Sequence, residues 1–325
     1  MEELNLGFVS NSFNDSPSGT AKVFFFPGCN LNCGYCYNTS IVKGKIDNSI
    51  TFEQAKEEIR SIKQVNSKGK VFFTQQWAIF SGGECSLYPD KVMELIELAH
   101  QTGIKAGVFT NGLNSDFVAR IIKEGKVDYV HMDIKCQLDY YRFNFYKNCN
   151  SSALLQLSAS ICMLIETAKA NKDFRADFAT VLVQQYTSLY SNAIEGIRNT
   201  LYQSGFKPSA NLRWSLNAFT DEDGKVEMLD KSFTMETSHI SKKDARLLYK
   251  QAEFFDPTTK YITLVGYHDD VTMAQKKRAK DLGVDVGSDE YSKLLDLDKD
   301  QFEELLDMFE SYQQGFNLKN ALKTL

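Results

Sequence analysis

The sequence predicts an α/β fold, a parallel (βα)6-type partial barrel with a C-terminal helical extension, and three observations predict it. Short apolar runs alternate with amphipathic segments of helical period, and most of those runs end in a polar or glycine-containing cluster. Hydrophobic residues (43%) and charged residues (24%) stand in the proportion of a globular chain. At 325 residues one large core is the default, since α/β barrels commonly exceed the usual domain length.

Lys22 to Phe26 (KVFFF) reads as a buried strand that runs straight into Pro27-Gly28 and a cysteine-rich loop. Thr51 opens a helix with a T-x-x-Q capping box closed by Gln54, and Phe52, Ala55, Ile59 and Ile62 follow at helical spacing. A second strand, Trp77 to Phe80, enters Ser81-Gly82-Gly83-Glu84. Pro89 then starts a helix carrying Val92, Leu95, Ile96 and Ala99 on one face, and Gly103 ends it. The alternation continues through strand Lys105 to Phe109, helix Ser115 to Glu124 and strand Tyr129 to Asp133. It goes on through helix Leu154 to Ala170, strand Phe174 to Val183, helix Ser191 to Ser204, strand Asn211 to Leu216 and helix Ser241 to Phe255. Repeated βα units imply a parallel sheet whose strand C-terminal ends gather polar groups on one face, where ligands bind. A domain boundary is expected near Asp256, giving 1–256 as the barrel and 257–325 as the extension. The extension would hold strand Tyr261 to Val265 and a helix with Phe302, Leu305, Leu306 and Phe309 in one stripe.

Composition excludes some functions. A net charge of -5 argues against a phosphate-backbone binder, so no nucleic-acid partner is expected. The N-terminus MEELNLGFVSNSF has acidic residues and no long apolar run, so neither a secretory signal nor a membrane helix is expected and the placement is cytoplasmic, with no membrane. Seven cysteines, three of them within eight residues, fit metal ligation in a reducing compartment better than disulfides.

Those three form Cys29-Asn-Leu-Asn-Cys33-Gly-Tyr-Cys36, a C-x3-C-x2-C spacing. Three thiolates on a four-iron cube leave one iron without a protein ligand. A closed zinc site needs four ligands, and Cys85 at the next strand end is the candidate for the fourth. The remaining cysteines, Cys136, Cys149 and Cys162, read as buried or idle thiols, and His100, His131, His239 and His268 as isolated.

With Tyr35 just before the last cysteine, the loop resembles the radical S-adenosylmethionine (SAM) superfamily. The resemblance implies a 4Fe-4S cluster on Cys29, Cys33 and Cys36 whose open iron chelates the methionine moiety of SAM. It also implies that Tyr35 packs beside the adenine, and that reductive cleavage yields a 5′-deoxyadenosyl radical. Ser81-Gly82-Gly83-Glu84 resembles the superfamily's GGE motif, which implies contact with the methionine amino group; glycines permit close backbone approach and Glu84 accepts from an ammonium. From about Thr20 to Leu216 the chain is similar to activating enzymes of glycyl radical enzymes, of the anaerobic ribonucleotide reductase or pyruvate formate-lyase type. There Thr110-Asn111-Gly112 and Asp133-Ile134-Lys135 are implied to line the SAM and substrate cleft, and Arg175 to contact the methionine carboxylate or nearby cleft acceptors, where the residue alone reads equally as a strand-end arginine facing solvent. Read without the resemblance, the first of these is an ordinary turn and the second a surface ion pair. The implied activity is an anaerobic oxidoreductase with no side chain as acid or base, a glycyl radical enzyme as partner and a flavodoxin or ferredoxin as electron donor.

The chain departs from that pattern where Phe109 replaces an acidic residue before TNG, and where Arg213-Trp214-Ser215-Leu216-Asn217 lacks a histidine-bearing strand end. These departures leave open radical chemistry on a peptide, nucleotide or other small substrate. A noncatalytic iron-sulfur or zinc module is the reading from another class.

Overall fold

The computed structural model describes residues 4–46, 49–141, 151–220, 228–253 and 261–266. Its strands are β1 (Asn5–Ser12), β2 (Ala21–Phe26), β3 (Ser49–Thr51), β4 (Lys63–Val65), β5 (Val71–Phe73) and β6 (Trp77–Gly82), followed by β7 (Lys105–Thr110), β8 (Tyr129–Asp133), β9 (Arg175–Leu182), β10 (Leu212–Ala218) and β11 (Ile262–Val265). Nine of them form one sheet in the order β11-β10-β9-β8-β7-β6-β2-β1-β3. From β2 to β11 every pairing is parallel, while β1 runs antiparallel to β2 and β3 antiparallel to β1.

Through the parallel run the spatial order follows the chain order, so each crossover steps to the next position in one direction. A sheet wound in one direction covers only its outer face with helices and curls its inner face on itself, as in a βα barrel. Strands β11 and β3 stand at opposite ends of the order and do not pair, so among the described residues the barrel is not closed. The inner face is packed at its base by Ala21, Val23, Trp77, Ile79 and Tyr129, with Phe25 and Phe109 against them. Alternate residues face the helices; Phe24 stacks on Phe80 at 5.9 Å, and Phe178 meets Phe206 edge-on.

Local signals placed the helices. Thr51 and Gln54 make the reciprocal capping box that starts the helix Phe52–Arg60. The helix Pro89–Thr102 begins with proline in its first turn and ends at Gly103, whose φ of 93° only glycine adopts at no cost. Three features differ from the expectation. β1 and β3 add an antiparallel flap beside β2, and β4 pairs with β5 in a separate hairpin whose residues are all exposed. An element with no buried face carries no periodic pattern to read. β11, expected in the extension, pairs parallel with β10 and becomes a seventh parallel strand.

Contacts divide the chain into Met1–Val265 and Gly266–Leu325. The expected boundary at Asp256 and the apolar stripe from Phe302 to Phe309 lie outside the described residues.

The helix Ser151–Ala170 is long and apolar enough over 152–170 to cross a bilayer by length and composition, which the reading of the N-terminus did not address. One face of it is core: Leu157, Ile161, Leu164, Ile165 and Ala168 are buried, and Ser160 Oγ donates to the Gly112 carbonyl at 2.7 Å. Asn211, at the entry to β10, anchors its C-terminal end through Nδ2, which lies 2.6 Å from the Ala168 carbonyl, 3.2 Å from that of Asn171 and 3.1 Å from that of Phe174. Asn211→Ala strips these carbonyls of a buried donor and should lower stability by about 1–3 kcal/mol, read from urea unfolding with an unchanged slope.

Candidate functional site

The cysteine loop leaves β2 through Gly28, whose φ of 77° turns the chain across the top of the sheet. Its backbone is tied to the end of β6. Gly83 N–H donates to the Phe26 carbonyl at 3.0 Å, Glu84 N–H to the Gly28 carbonyl at 2.9 Å, and Asn38 Nδ2 to the Gly82 carbonyl at 3.2 Å. A Cβ on Gly83 would stand 2.0 Å from the Gly28 oxygen, and one on Gly82 2.2 Å from the Phe26 oxygen. The two glycines are therefore required by the approach of two protein backbones. Within the loop, Cys36 N–H closes on the Cys33 carbonyl at 3.0 Å, and Leu31 N–H points at Cys29 Sγ at 3.4 Å.

Apart from Arg175, and from Gly112 and Ile134 within their tripeptides, the residues singled out as cleft-lining from the sequence meet in one cleft at the C-terminal ends of the parallel strands. Cys29, Cys33, Tyr35 and Cys36 line it from the loop, Ser81, Gly82, Gly83 and Glu84 from the end of β6, Thr110 and Asn111 from β7, and Asp133 and Lys135 from β8. Glu84 is buried and takes three hydrogen bonds, from Thr110 Oγ1 at 2.7 Å, Asn111 N–H at 2.8 Å and Ser86 N–H at 3.1 Å. Burial raises its carboxyl above the usual range, and those bonds oppose the rise. Asn111 also reaches the loop, donating through Nδ2 to Asn30 Oδ1 at 2.7 Å.

Lys135 Nζ lies 2.9 Å from Asp133 Oδ2. Burial works against the ammonium, but Asp133, Cys33 and Tyr35 outweigh it and hold Lys135 well above its ordinary value. Burial likewise pushes Asp133 up, and the Lys135 ammonium beside it outweighs that and brings it below the ordinary carboxylate value. Burial dominates at the thiols, pushing Cys33 up to about 12, Cys29 to about 11 and Cys36 in the same direction, while Lys135 pulls all three down. Among the described residues no three His, Cys, Asp or Glu side chains converge on a point that a single ion would occupy. Cys85 is fully buried, donates its thiol to the Phe109 carbonyl at 3.4 Å and does not line the cleft, so it is no fourth ligand beside the three.

Residues 23–152 match the profile of the radical SAM superfamily. Residues 23–152 are a radical SAM domain. The chain is 29% identical over 174 residues to a Methanocaldococcus jannaschii protein described as a glycyl-radical enzyme activating enzyme, covering 54% of this chain and 66% of that one. It is 30% identical over 121 residues to the pyruvate formate-lyase-activating enzyme of Clostridium pasteurianum, covering 37% and 48%. The match thus spans about half to two thirds of the length of these curated relatives. A solved structure of TYW1 with a lysine-pyruvate adduct aligns at 17% identity and a TM-score of 0.46, over 72% of this chain and 73% of that one.

The donor set of the radical SAM domain suits a cluster better than a lone ion. Three thiols on one loop line an open cleft, and among the described residues no fourth cysteine lines it. Arg175 stands outside the cleft. It opens β9 opposite Tyr129, at the N-terminal end of the sheet, and its guanidinium is held by both carboxylate oxygens of Asp177, with Nε 2.8 Å from Oδ1. Sequence alone could put an arginine on the fifth strand, but strand polarity puts the first residue of that strand a strand length away from the ligand face. Phe109 and His131, whose rings stack at 4.6 Å, are among several further residues that line the cleft. The signal was present, because His131 precedes Asp133 by two positions and a strand returns every second side chain to one face.

Two outcomes follow from this geometry. Gly83→Ala should cost about 1–3 kcal/mol in denaturant unfolding, since a backbone oxygen must move to admit the methyl group. In the cluster-free protein, iodoacetamide should label Cys33 far more slowly at pH 8 than the exposed Cys162. Because the thiolate is the reactive form and its pKa is raised, the Cys33 rate should climb about tenfold per pH unit up to the region of pH 11–12.

Proposed function

We propose that Cys29, Cys33 and Cys36 hold a 4Fe-4S cluster, that SAM binds beside it, and that the chain installs a glycyl radical on a partner enzyme. The observation that carries this reading is the meeting of the three thiols with Ser81 to Glu84, Thr110-Asn111 and the Asp133–Lys135 pair in one cleft at the open end of a barrel. The likeness to two activating enzymes supports the choice of partner.

A cluster held by Cys29, Cys33 and Cys36, with SAM beside it, would supply the one-electron reductive cleavage of SAM and, through it, the abstraction of a hydrogen atom from a glycine Cα. The electron comes from a reductant of the flavodoxin or ferredoxin type. The chain's own groups bind and orient. Glu84, fixed by its three hydrogen bonds, presents a preorganised acceptor for an ammonium. Lys135 sets a cation beside the thiols and offers its remaining donors to a carboxylate. Tyr35 is 6% exposed, packed between Tyr186 and Phe233, and gives the loop an apolar wall. No side chain has to gain or lose a proton, since hydrogen-atom transfer carries the proton and electron together. Among the described residues β11 and β3 do not pair, and a polypeptide loop would enter at that gap.

Anaerobic reconstitution with iron and sulfide, followed by SAM, a reductant and the glycyl radical enzymes of the source organism, tests this. A glycyl doublet in electron paramagnetic resonance and one 5′-deoxyadenosine per radical are expected, and Cys33→Ala should abolish both. A modified small molecule with no protein radical would move the chemistry to the second reading. No 5′-deoxyadenosine at all would end both.

A further inference from the structure

Phe109 and His131 are register partners on β7 and β8, and their stacked rings form part of the floor of the cleft, just below Asp133. Beneath them lies Tyr129, with its hydroxyl 3.3 Å from His131 Nδ1 and 3.2 Å from Asp177 Oδ2. Asp177 is held in turn by Arg175, whose guanidinium also lies over the Tyr129 ring at 5.7 Å. A chain of contacts thus runs from the cleft floor to the base of the barrel.

The proton count along that chain decides which atom of His131 is free. A tyrosine hydroxyl has one proton, and an ionised carboxylate facing an arginine only accepts. Tyr129 therefore donates to Asp177, and its oxygen is left to accept from Nδ1–H of His131. A neutral imidazole protonated at Nδ1 carries a lone pair on Nε2. Among the described residues Nε2 has no hydrogen-bond partner, and His131 is half-buried on the cleft floor. The sandwich against Phe109 and the bond to Tyr129 hold the ring in place, so the acceptor is preorganised.

We infer that His131 Nε2 accepts a hydrogen bond from a backbone N–H of the substrate polypeptide, next to the glycine that loses its hydrogen atom. This rests on the activating function proposed above. A glycine offers no side chain to read, so recognition beside its Cα must use the amide donors and carbonyl acceptors of the main chain. An unpaired acceptor beside an aromatic ring matches the donor and leaves the carbonyls to other partners. Phe109 belongs to this device, because it supplies the face against which the imidazole stacks. Arg175 and Tyr129 are positioning residues, acting through Asp177 and through His131 and touching no ligand.

The test uses the full chain, cluster-loaded, with SAM, dithionite and a heptapeptide centred on Cα-dideuterated glycine, reading deuterium in 5′-deoxyadenosine by mass spectrometry. The unaltered protein should transfer deuterium. His131→Phe should raise the KM for the peptide about tenfold relative to the KM for SAM, the weight of one lost hydrogen bond. His131→Gln, whose amide oxygen accepts at similar reach, should recover much of that loss. Tyr129→Phe, which frees the ring to turn, should raise the peptide KM about threefold, and it serves where His131→Phe does not fold. An unchanged peptide KM in His131→Phe or Tyr129→Phe, or equal defects in the Phe and Gln variants of His131, overturns the inference and leaves the proposed function standing. Absence of deuterium transfer by the unaltered protein, from the peptide and from the intact partner alike, overturns the proposed function and this inference with it.

Discussion

The site depends on one close approach, the backbone of Phe26 to Gly28 lying against that of Gly82 to Glu84. Two amide-to-carbonyl bonds join them, and no Cβ fits between. This seam ties the cysteine loop to the sheet, so three thiols on an otherwise irregular segment inherit the rigidity of two parallel strands, β2 and β6. It also brings Glu84 to a place where Thr110 and Asn111 of the next strand can bond to it, which extends the seam sideways. Asn111 then reaches back to Asn30, closing the circuit on the loop where it began. A ligand set on a loop is only as precise as the scaffold that holds the loop.

Electrostatics sets a second condition. Burial is the largest influence on all three thiols and favours their neutral form, and one lysine does not overcome it. The metal-free site is therefore made of thiols, and loading it must release protons and exchange poor solvation for metal bonds. Lys135 lowers that cost and stays charged because Asp133 is beside it. The two form a neutral unit on the cleft wall that still presents an ammonium to the cysteine loop.

Below the ligand face the barrel interior is no uniform apolar plug. Aromatic rings carry a polar thread from His131 through Tyr129 and Asp177 to Arg175, and β8 and β9 supply all four members at neighbouring register positions. Strand alternation puts these residues on the inner face, and the parallel register brings them side by side. The arginine expected at the ligand is the far end of this thread. Its charge is matched by Asp177 within the barrel, so its influence on the cleft passes through other side chains.

Much of this was legible in the residues. The C-x3-C-x2-C spacing marks a metal-binding loop locally, whereas the Gly-Gly-Glu turn and the TN and DIK strand ends read as a turn and an ion pair until the resemblance gives them a ligand role; the alternation of apolar runs with helical stripes names the parallel barrel that gathers them. Capping residues such as Thr51, Gln54, Pro89 and Gly103 marked helix ends because capping is decided within a few residues. Tertiary structure alone decided the rest. Strand direction placed Arg175 at the opposite end from the cleft, pairing joined β11 to the sheet, and register set His131 between Phe109 and Tyr129. Sequence records which groups are present and their local period, whereas the partner of an inward side chain depends on how separate strands align, and that alignment is fixed by the packing of the whole barrel.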